Sequence, residues 1–110
     1  MLCLNNGKHV VIEKPICLNA KDTKEIYTVA ELNNLFAMEN MWTRFFPVTK
    51  MARKLVSEGE IGEVLQVQSD FGTYFPKYIQ RIWDIKLGGG ALLDIGIYPT
   101  CAVTSFLGNK

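Results

Sequence analysis

The sequence predicts an α/β protein with parallel strands in its first part and a different pattern in its second part. The stretches HVVIE (9–13) and LFAME (35–39) are short and apolar, which is typical of buried strands, and a helical segment separates them. A strand, a helix and a strand joined by short turns form a βαβ unit, whose two strands run parallel. The pattern changes after residues 39–42, where we expect a domain boundary.

The first part begins with MLCLNNGK, which resembles the last turn of a helix closed by Gly7. Asn19 is a predicted N-cap for a helix over residues 20–34, with a modest inward stripe of Ile26, Val29 and Ala30 that could extend to Ala37. A complete doubly wound domain needs roughly five or six strands, and only two of that kind are visible here. We therefore expect the sequence to be a fragment of a larger α/β protein.

The second part alternates between helical and strand-like patterns. Residues 45–62 predict an amphipathic helix, and residues 63–74 (EVLQVQSDFGTY) alternate like a strand with one solvated face. Residues 76–90 have the composition of an aromatic loop. Residues 91–108 predict a largely buried apolar helix that Pro99 interrupts.

Composition and charge exclude several classes of protein. The 110 residues have a net charge of +1, which gives no electrostatic case for nucleic acid or an anionic membrane. No apolar run reaches the about 18–20 residues that span a bilayer. The three cysteines lack metal or disulfide spacing, which argues against a zinc site and favours a reducing compartment. We expect a soluble, cytoplasmic protein without a metal.

Charged and aromatic residues follow both predicted strands. Glu13, Lys14 and Pro15 end the first strand, and Trp42 and Arg44 come shortly after the second. Because ligands bind at the carboxyl ends of parallel strands, we expect these two loops to converge on a ligand. On position alone, a surface Glu–Lys pair of small energetic value remains the alternative for Lys14.

Asp94 and Tyr98 form a second candidate group in the stretch GGGALLDIGIYP. They are four positions apart, so they share one face of the predicted helix, and their neighbours are apolar. A tyrosine becomes a useful acid or base when a nearby cation stabilises its phenolate, and Lys14 could be that cation. A structural Asp–Tyr hydrogen bond in a helix core is the alternative.

Two further features carry weaker signals. The triple glycine at 88–90 is neither a phosphate loop nor G-x-G-x-x-G, so it indicates a tight entry to the helix or a close backbone approach. His9 opens the first strand without a partner histidine or base nearby in sequence, and we interpret it as structural.

Three stretches together resemble one known family. GKHVVIEKP, MWTRFFP and GGGALLDIGIYP, in this order and spacing, are similar to motifs of the glucose–fructose oxidoreductase/inositol dehydrogenase/MocA family of nicotinamide-dependent dehydrogenases. The resemblance covers essentially the whole chain. It implies that residues 1–40 are the last part of an NAD(P)-binding Rossmann domain. Residues 41–110 would then begin an α/β substrate and dimerisation domain.

The resemblance also implies a reaction and the residues that perform it. The expected reaction is NADP-dependent oxidation of a secondary alcohol in a trans-dihydrodiol or a sugar, with Tyr98 as acid/base, Lys14 assisting it and Asp94 orienting the reacting groups. The implied cofactor-binding residues are Glu13, Lys14, Pro15, Trp42 and Arg44. The implied substrate-binding residues are Lys14, Asp94, Trp42 and Phe71.

The sequence also departs from the family in one important respect. It contains no G-x-G-x-x-G turn, so we expect the chain alone to bind a dinucleotide poorly even if the parent protein, an expected homodimer, binds it well. The alternative hypothesis is a catalytically inactive fragment or a non-enzymatic interaction piece that acts through its exposed sheet edge.

Overall fold

The computed structural model describes residues 1–108 and contains two compact units, Met1–Met41 and a second that begins at Trp42. The first unit has the predicted βαβ order. Its elements are α1 (Leu2–Asn5), β1 (Val10–Glu13), α2 (Ala20–Leu32) and β2 (Ala37–Asn40). The two strands are parallel, with the register running from Val10 opposite Ala37 to Glu13 opposite Asn40. The predicted α/β fold is therefore confirmed. The assignment of residues 1–40 and 41–110 to two larger domains stays a prediction.

Helix α2 covers the sheet because of where its apolar side chains fall. Ile26 and Ala30, one turn apart, form a small core with Leu4, and partly buried residues of both strands pack against it. Asn19 caps the helix as predicted, since its Oδ1 accepts a hydrogen bond of 2.9 Å from the backbone N–H of Asp22. These contacts fix the position of β1 and β2 and therefore of the residues at their carboxyl ends.

His9 helps to set the strand pairing. Its Nδ1 accepts a hydrogen bond of 2.8 Å from the backbone N–H of Phe36, next to the ladder bond of 2.9 Å from Val10 N–H to the Phe36 carbonyl. These two bonds join the start of β1 to the residue before β2. The structural interpretation of His9 agrees with this geometry.

The second unit is helical in the part of the chain that the structure describes. Helix α3 begins at Pro47, which suits the first helical position because its missing N–H would have no partner there. A π-helical turn precedes the last helix. In order, the elements are a 3₁₀ turn (Trp42–Phe45), α3 (Pro47–Ser57), α4 (Gln80–Trp83), a 3₁₀ turn (Ile85–Leu87), the π turn (Leu92–Gly96) and α5 (Ile97–Leu107).

Two predictions for the middle of this unit are wrong. Residues 63–74 form no strand, because a strand needs a hydrogen-bonded neighbour and, among residues 1–108, both strands lie in the first unit and pair with each other. The alternation of polar and apolar side chains predicts which face of a strand is exposed to water. It does not predict that a neighbouring strand is present to pair with it. Residues 76–90, predicted as a loop, contain α4 and a 3₁₀ turn.

The last helix also differs from its prediction. Pro99 is the third residue of α5, which continues without a break to Leu107. The irregularity is the π turn before it. The prediction of a largely buried helix is wrong as well, since α5 has no fully buried residue among those described.

The helical run Ile85–Leu107 has 23 residues, and an 18-residue stretch of it has a mean hydropathy of 1.3, so by length and composition the run is long and apolar enough to cross a membrane. The sequence-based expectation that no such run exists is therefore wrong. The evidence for a membrane span is weak, because core helices of soluble proteins meet the same criterion. The run also contains Lys86, Asp94 and the π turn.

Candidate active site

Two hydrogen bonds organise the carboxyl edge of the two-stranded sheet. The side-chain amide of Asn40 donates to Glu13, the last residue of β1. The backbone N–H of Ile16 donates to Oε1 of Glu39 over 2.9 Å, which ties the segment after β1 to the end of β2. Lys14 and Pro15, joined by a cis peptide bond, lie between these two attachments and are half-buried. Lys14 is therefore held at the carboxyl edge of the two strands, and its role in binding a ligand stays a prediction.

Three aromatic side chains form the centre of the second unit's candidate site. The rings of Trp42 and Tyr98 meet edge to face at 5.9 Å, and those of Phe71 and Tyr98 at 5.3 Å. Trp42 also donates a hydrogen bond of 3.0 Å from its indole Nε1 to the phenolic oxygen of Tyr98. Phe46 packs against the other side of Trp42, at 5.1 Å between ring centroids. Tyr98 is thus placed by contacts from two distant segments.

These rings line a cavity of about 300 Å³. Its apolar walls are Trp42, Phe71 and Tyr98, and its polar groups come from Thr43, Ser69 and Asp70. Trp42 is 44% exposed and Phe71 is 50% exposed, so the cavity is open to solvent. A concave apolar surface with a few polar groups and one phenol fits a small, partly apolar molecule that carries hydroxyl groups.

Arg44 lies on the same 3₁₀ turn as Trp42. It lines a second cavity of about 300 Å³ together with Thr43, Tyr98 and residues of α3 and α5. Tyr98 therefore borders both cavities. The predicted group of Trp42, Arg44, Phe71 and Tyr98 is brought together within the second unit, although the binding role of each residue stays a prediction.

Asp94 lies in the π turn, and its side chain is only 14% exposed. Arg81 forms an ion pair with it, at 2.8 Å from Nη1 to Oδ1. Arg81 was not predicted as a site residue, because it falls in the stretch interpreted as a loop. A half-buried carboxylate requires a partner, and a search for nearby cations in sequence would have found Arg81 and Lys86.

The candidate residues divide between the two units. Glu13, Lys14 and Pro15 belong to the first, while Tyr98 and the other candidate residues belong to the second. The convergence of Lys14 with Tyr98 therefore stays a prediction. Among residues 1–108, no three histidine, cysteine or acidic side chains lie close enough together to hold a metal ion.

Comparisons with known proteins define the class to which this architecture belongs. Residues 1–41 match the family described as "Oxidoreductase family, NAD-binding Rossmann fold", and residues 49–110 match the "GFO/IDH/MocA C-terminal domain". The chain therefore belongs to the GFO/IDH/MocA oxidoreductase family, whose N-terminal domain has the Rossmann fold. The family resemblance read from the sequence is confirmed.

Particular relatives narrow the comparison further. The chain is 45% identical over 112 residues to a Xenopus laevis protein named trans-1,2-dihydrobenzene-1,2-diol dehydrogenase, covering 100% of this chain and 33% of the relative. A Homo sapiens protein of the same name is 42% identical over 98 residues, with 89% of this chain and 29% of the relative covered. One from Macaca fascicularis is 38% identical over 110 residues, with 100% and 33% covered. The chain thus spans about one third of the length of these relatives.

The carboxyl ends of β1 and β2 form the kind of edge at which open parallel sheets bind their ligands. Parallel strands β1 and β2 present their carboxyl ends, and the Glu13–Asn40 and Ile16–Glu39 bonds fix the loop that carries Lys14. The glycine-rich turn that receives the pyrophosphate is not in this sequence.

Proposed function

We propose that this chain is part of an NADP-dependent oxidoreductase that oxidises a secondary alcohol of a trans-dihydrodiol or of a sugar such as D-xylose. The observation that carries the proposal is the position of Tyr98, whose ring forms a wall of an aromatic cavity and whose oxygen accepts a hydrogen bond from Trp42. The names of the relatives and the NAD-binding family support the reaction class. The preference for NADP over NAD is inferred from the family resemblance.

Tyr98 acts as the general base in this proposal and takes the proton of the substrate hydroxyl. The indole N–H of Trp42 donates to the same oxygen at 3.0 Å and so holds the phenol in a defined position at the cavity wall. Lys14 contributes a positive charge that favours the phenolate and polarises the substrate oxygen, a role carried over from the family. Asp94 orients the hydroxyl that reacts.

The nicotinamide, when bound, supplies the hydride acceptor. The residues proposed to hold it are Glu13, Lys14, Pro15, Trp42 and Arg44. The aromatic side chains of Trp42 and Phe71 offer flat apolar surfaces to a substrate ring, and Ser69 and Asp70 offer polar groups to its hydroxyls. The aromatic wall and the polar groups of this cavity therefore suit a substrate that has one apolar side and one side with hydroxyl groups.

We further propose that the whole protein is a cytoplasmic homodimer that acts on a small molecule, and not on nucleic acid or at a membrane. The net charge of +1 supports the last two points. The rival proposal is a non-enzymatic interaction piece. It is favoured by the large apolar side chains on the surface of this chain, such as Leu65 at 86% and Ile85 at 85% exposed.

An assay of the whole protein tests the proposal. A trans-dihydrodiol and D-xylose are each supplied with NADP or NAD, and cofactor reduction is followed by absorbance. We expect turnover with at least one of the two substrates and a higher kcat/KM with NADP than with NAD. A folded protein that reduces neither cofactor with any diol or sugar would favour the interaction piece.

The Trp42–Tyr98 hydrogen bond gives a more specific prediction. Trp42→Phe keeps an aromatic wall and removes the donor, so kcat is expected to fall about 2- to 10-fold, the equivalent of one hydrogen bond of about 0.5–1.5 kcal/mol. Trp83→Phe is the matched control, because Trp83 also donates its indole N–H, over 3.1 Å, but to the carbonyl of Pro76. Equal kcat losses in both variants would contradict a specific role for the Trp42 donor.

A further inference from the structure

We propose that Arg81 is a positioning residue that fixes the carboxylate of Asp94 for the reaction, and that the glycine turn at 88–90 sets the spacing between the two side chains. This inference rests on the proposed function, because it requires that Asp94 contributes to turnover. Arg81 acts through Asp94 and needs no contact with substrate or cofactor.

The backbone around Arg81 is joined directly to the turn that carries Asp94. Gly90 N–H donates to the Ile82 carbonyl at 2.8 Å, and Gly89 N–H donates to the Asp84 carbonyl at 3.0 Å. Asp94 N–H then donates to the Gly90 carbonyl at 3.2 Å. A chain of three backbone hydrogen bonds thus connects α4 to the π turn, which fixes the distance over which Arg81 reaches Asp94.

The exposure of the two side chains shows which one the ion pair orders. Asp94 is 14% exposed and Arg81 is 64% exposed, so the arginine reaches from the surface to a carboxylate that is mostly withdrawn from water. A charge-assisted bond of 2.8 Å holds the Oδ1 atom in one direction. The carboxylate is therefore the ordered partner, and the exposed arginine is the group that orders it.

Asp94 lies where a fixed carboxylate direction would matter for the reaction. Asp94 lies in a wide π turn, a feature that occurs mostly as single turns and frequently at functional sites, and α5 with Tyr98 follows directly. An orienting group must be held close to its productive position, since a displacement of about 1 Å can cost about 10²-fold in rate. Loss of Arg81 would remove the charge-assisted hydrogen bond that fixes the direction of Oδ1.

The test uses Arg81→Met, Arg81→Lys, Asp94→Asn and the double variant Arg81→Met/Asp94→Asn in the whole protein. Arg81→Met is expected to lower kcat about 10- to 100-fold with a smaller change in KM. Arg81→Lys should recover part of this loss, because an ammonium can still reach one carboxylate oxygen. In the Asp94→Asn background, Arg81→Met should cost less than about 3-fold, since the two residues act as one unit.

Arg53→Met is the control, because Arg53 is an exposed arginine on α3, an element that carries neither Arg81 nor Asp94, and its loss should leave kcat unchanged. Independent, additive losses from Arg81→Met and Asp94→Asn would overturn the inference, as would a wild-type kcat in Arg81→Met. A wild-type kcat in Asp94→Asn would remove Asp94 from the proposed mechanism and would overturn the inference with it. The failure of the inference and that of the proposed function are therefore distinguishable.

Discussion

Tyr98→Phe in the whole protein is expected to lower kcat by about 10²–10⁴-fold, the range over which a positioned general acid or base contributes. The substitution removes one oxygen, and with it the acceptor for the Trp42 indole N–H, while the ring contacts at 5.9 Å and 5.3 Å remain. Substrate affinity should change little, because the aromatic wall of the cavity is retained. The expected signature is therefore a large loss in kcat with a small change in KM.

The measurement is steady-state kinetics, in which the kcat and KM of Tyr98→Phe are compared with those of the control Tyr78→Phe. Tyr78 is 84% exposed and lines neither of the cavities that Tyr98 borders, so its hydroxyl should be dispensable. A Tyr98→Phe protein that turns over near the wild-type rate would remove Tyr98 from the acid/base role. A rise in KM without loss of kcat would indicate that the phenol only binds substrate.

The first unit was predictable because its local signals agree with one another. The strand in HVVIE, the cap at Asn19 and the inward Ile26 and Ala30 all indicate the same βαβ unit, and the structure contains it. The position of Lys14 at the carboxyl edge followed from strand direction alone. The catalytic role proposed for Lys14 rests on the family resemblance and stays a prediction.

The second unit was less predictable because its contacts are between segments distant in sequence. Trp42 and Tyr98 are 56 positions apart, and neither helix periodicity nor spacing indicates that an indole donor meets a phenol. Arg81 was missed because its stretch was interpreted as a loop, whereas in the structure a glycine turn folds α4 back on the π turn and Arg81 pairs with Asp94. The strand predicted at 63–74 failed because a strand exists only where a neighbouring strand accepts its hydrogen bonds.

The glycine turn supplies the second large prediction, which concerns stability. Gly89→Ala would place a Cβ atom 2.7 Å from the carbonyl oxygens of both Ile82 and Asp84. Real Cβ atoms do not approach backbone oxygens that closely, and neither carbonyl can move without breaking its hydrogen bond to Gly90 or Gly89. We expect a loss of about 1–3 kcal/mol in the free energy of unfolding of the whole protein, the usual cost of forcing extra atoms into a filled site.

Denaturant unfolding of the whole protein measures this loss, and Gly72→Ala is its control. Gly72 has no atom within 4 Å of a built Cβ and no positive φ, so the added methyl group should change the free energy of unfolding by less than about 0.5 kcal/mol. Because Gly89 also sets the spacing between Arg81 and Asp94, the Gly89→Ala protein that remains folded should show the same reduced kcat as Arg81→Met. If Gly89→Ala and Gly72→Ala had equal free energies of unfolding, the glycine turn would be able to relax around the added methyl group. The close approach of the two carbonyl oxygens to Gly89 would then not be what fixes α4 against the π turn.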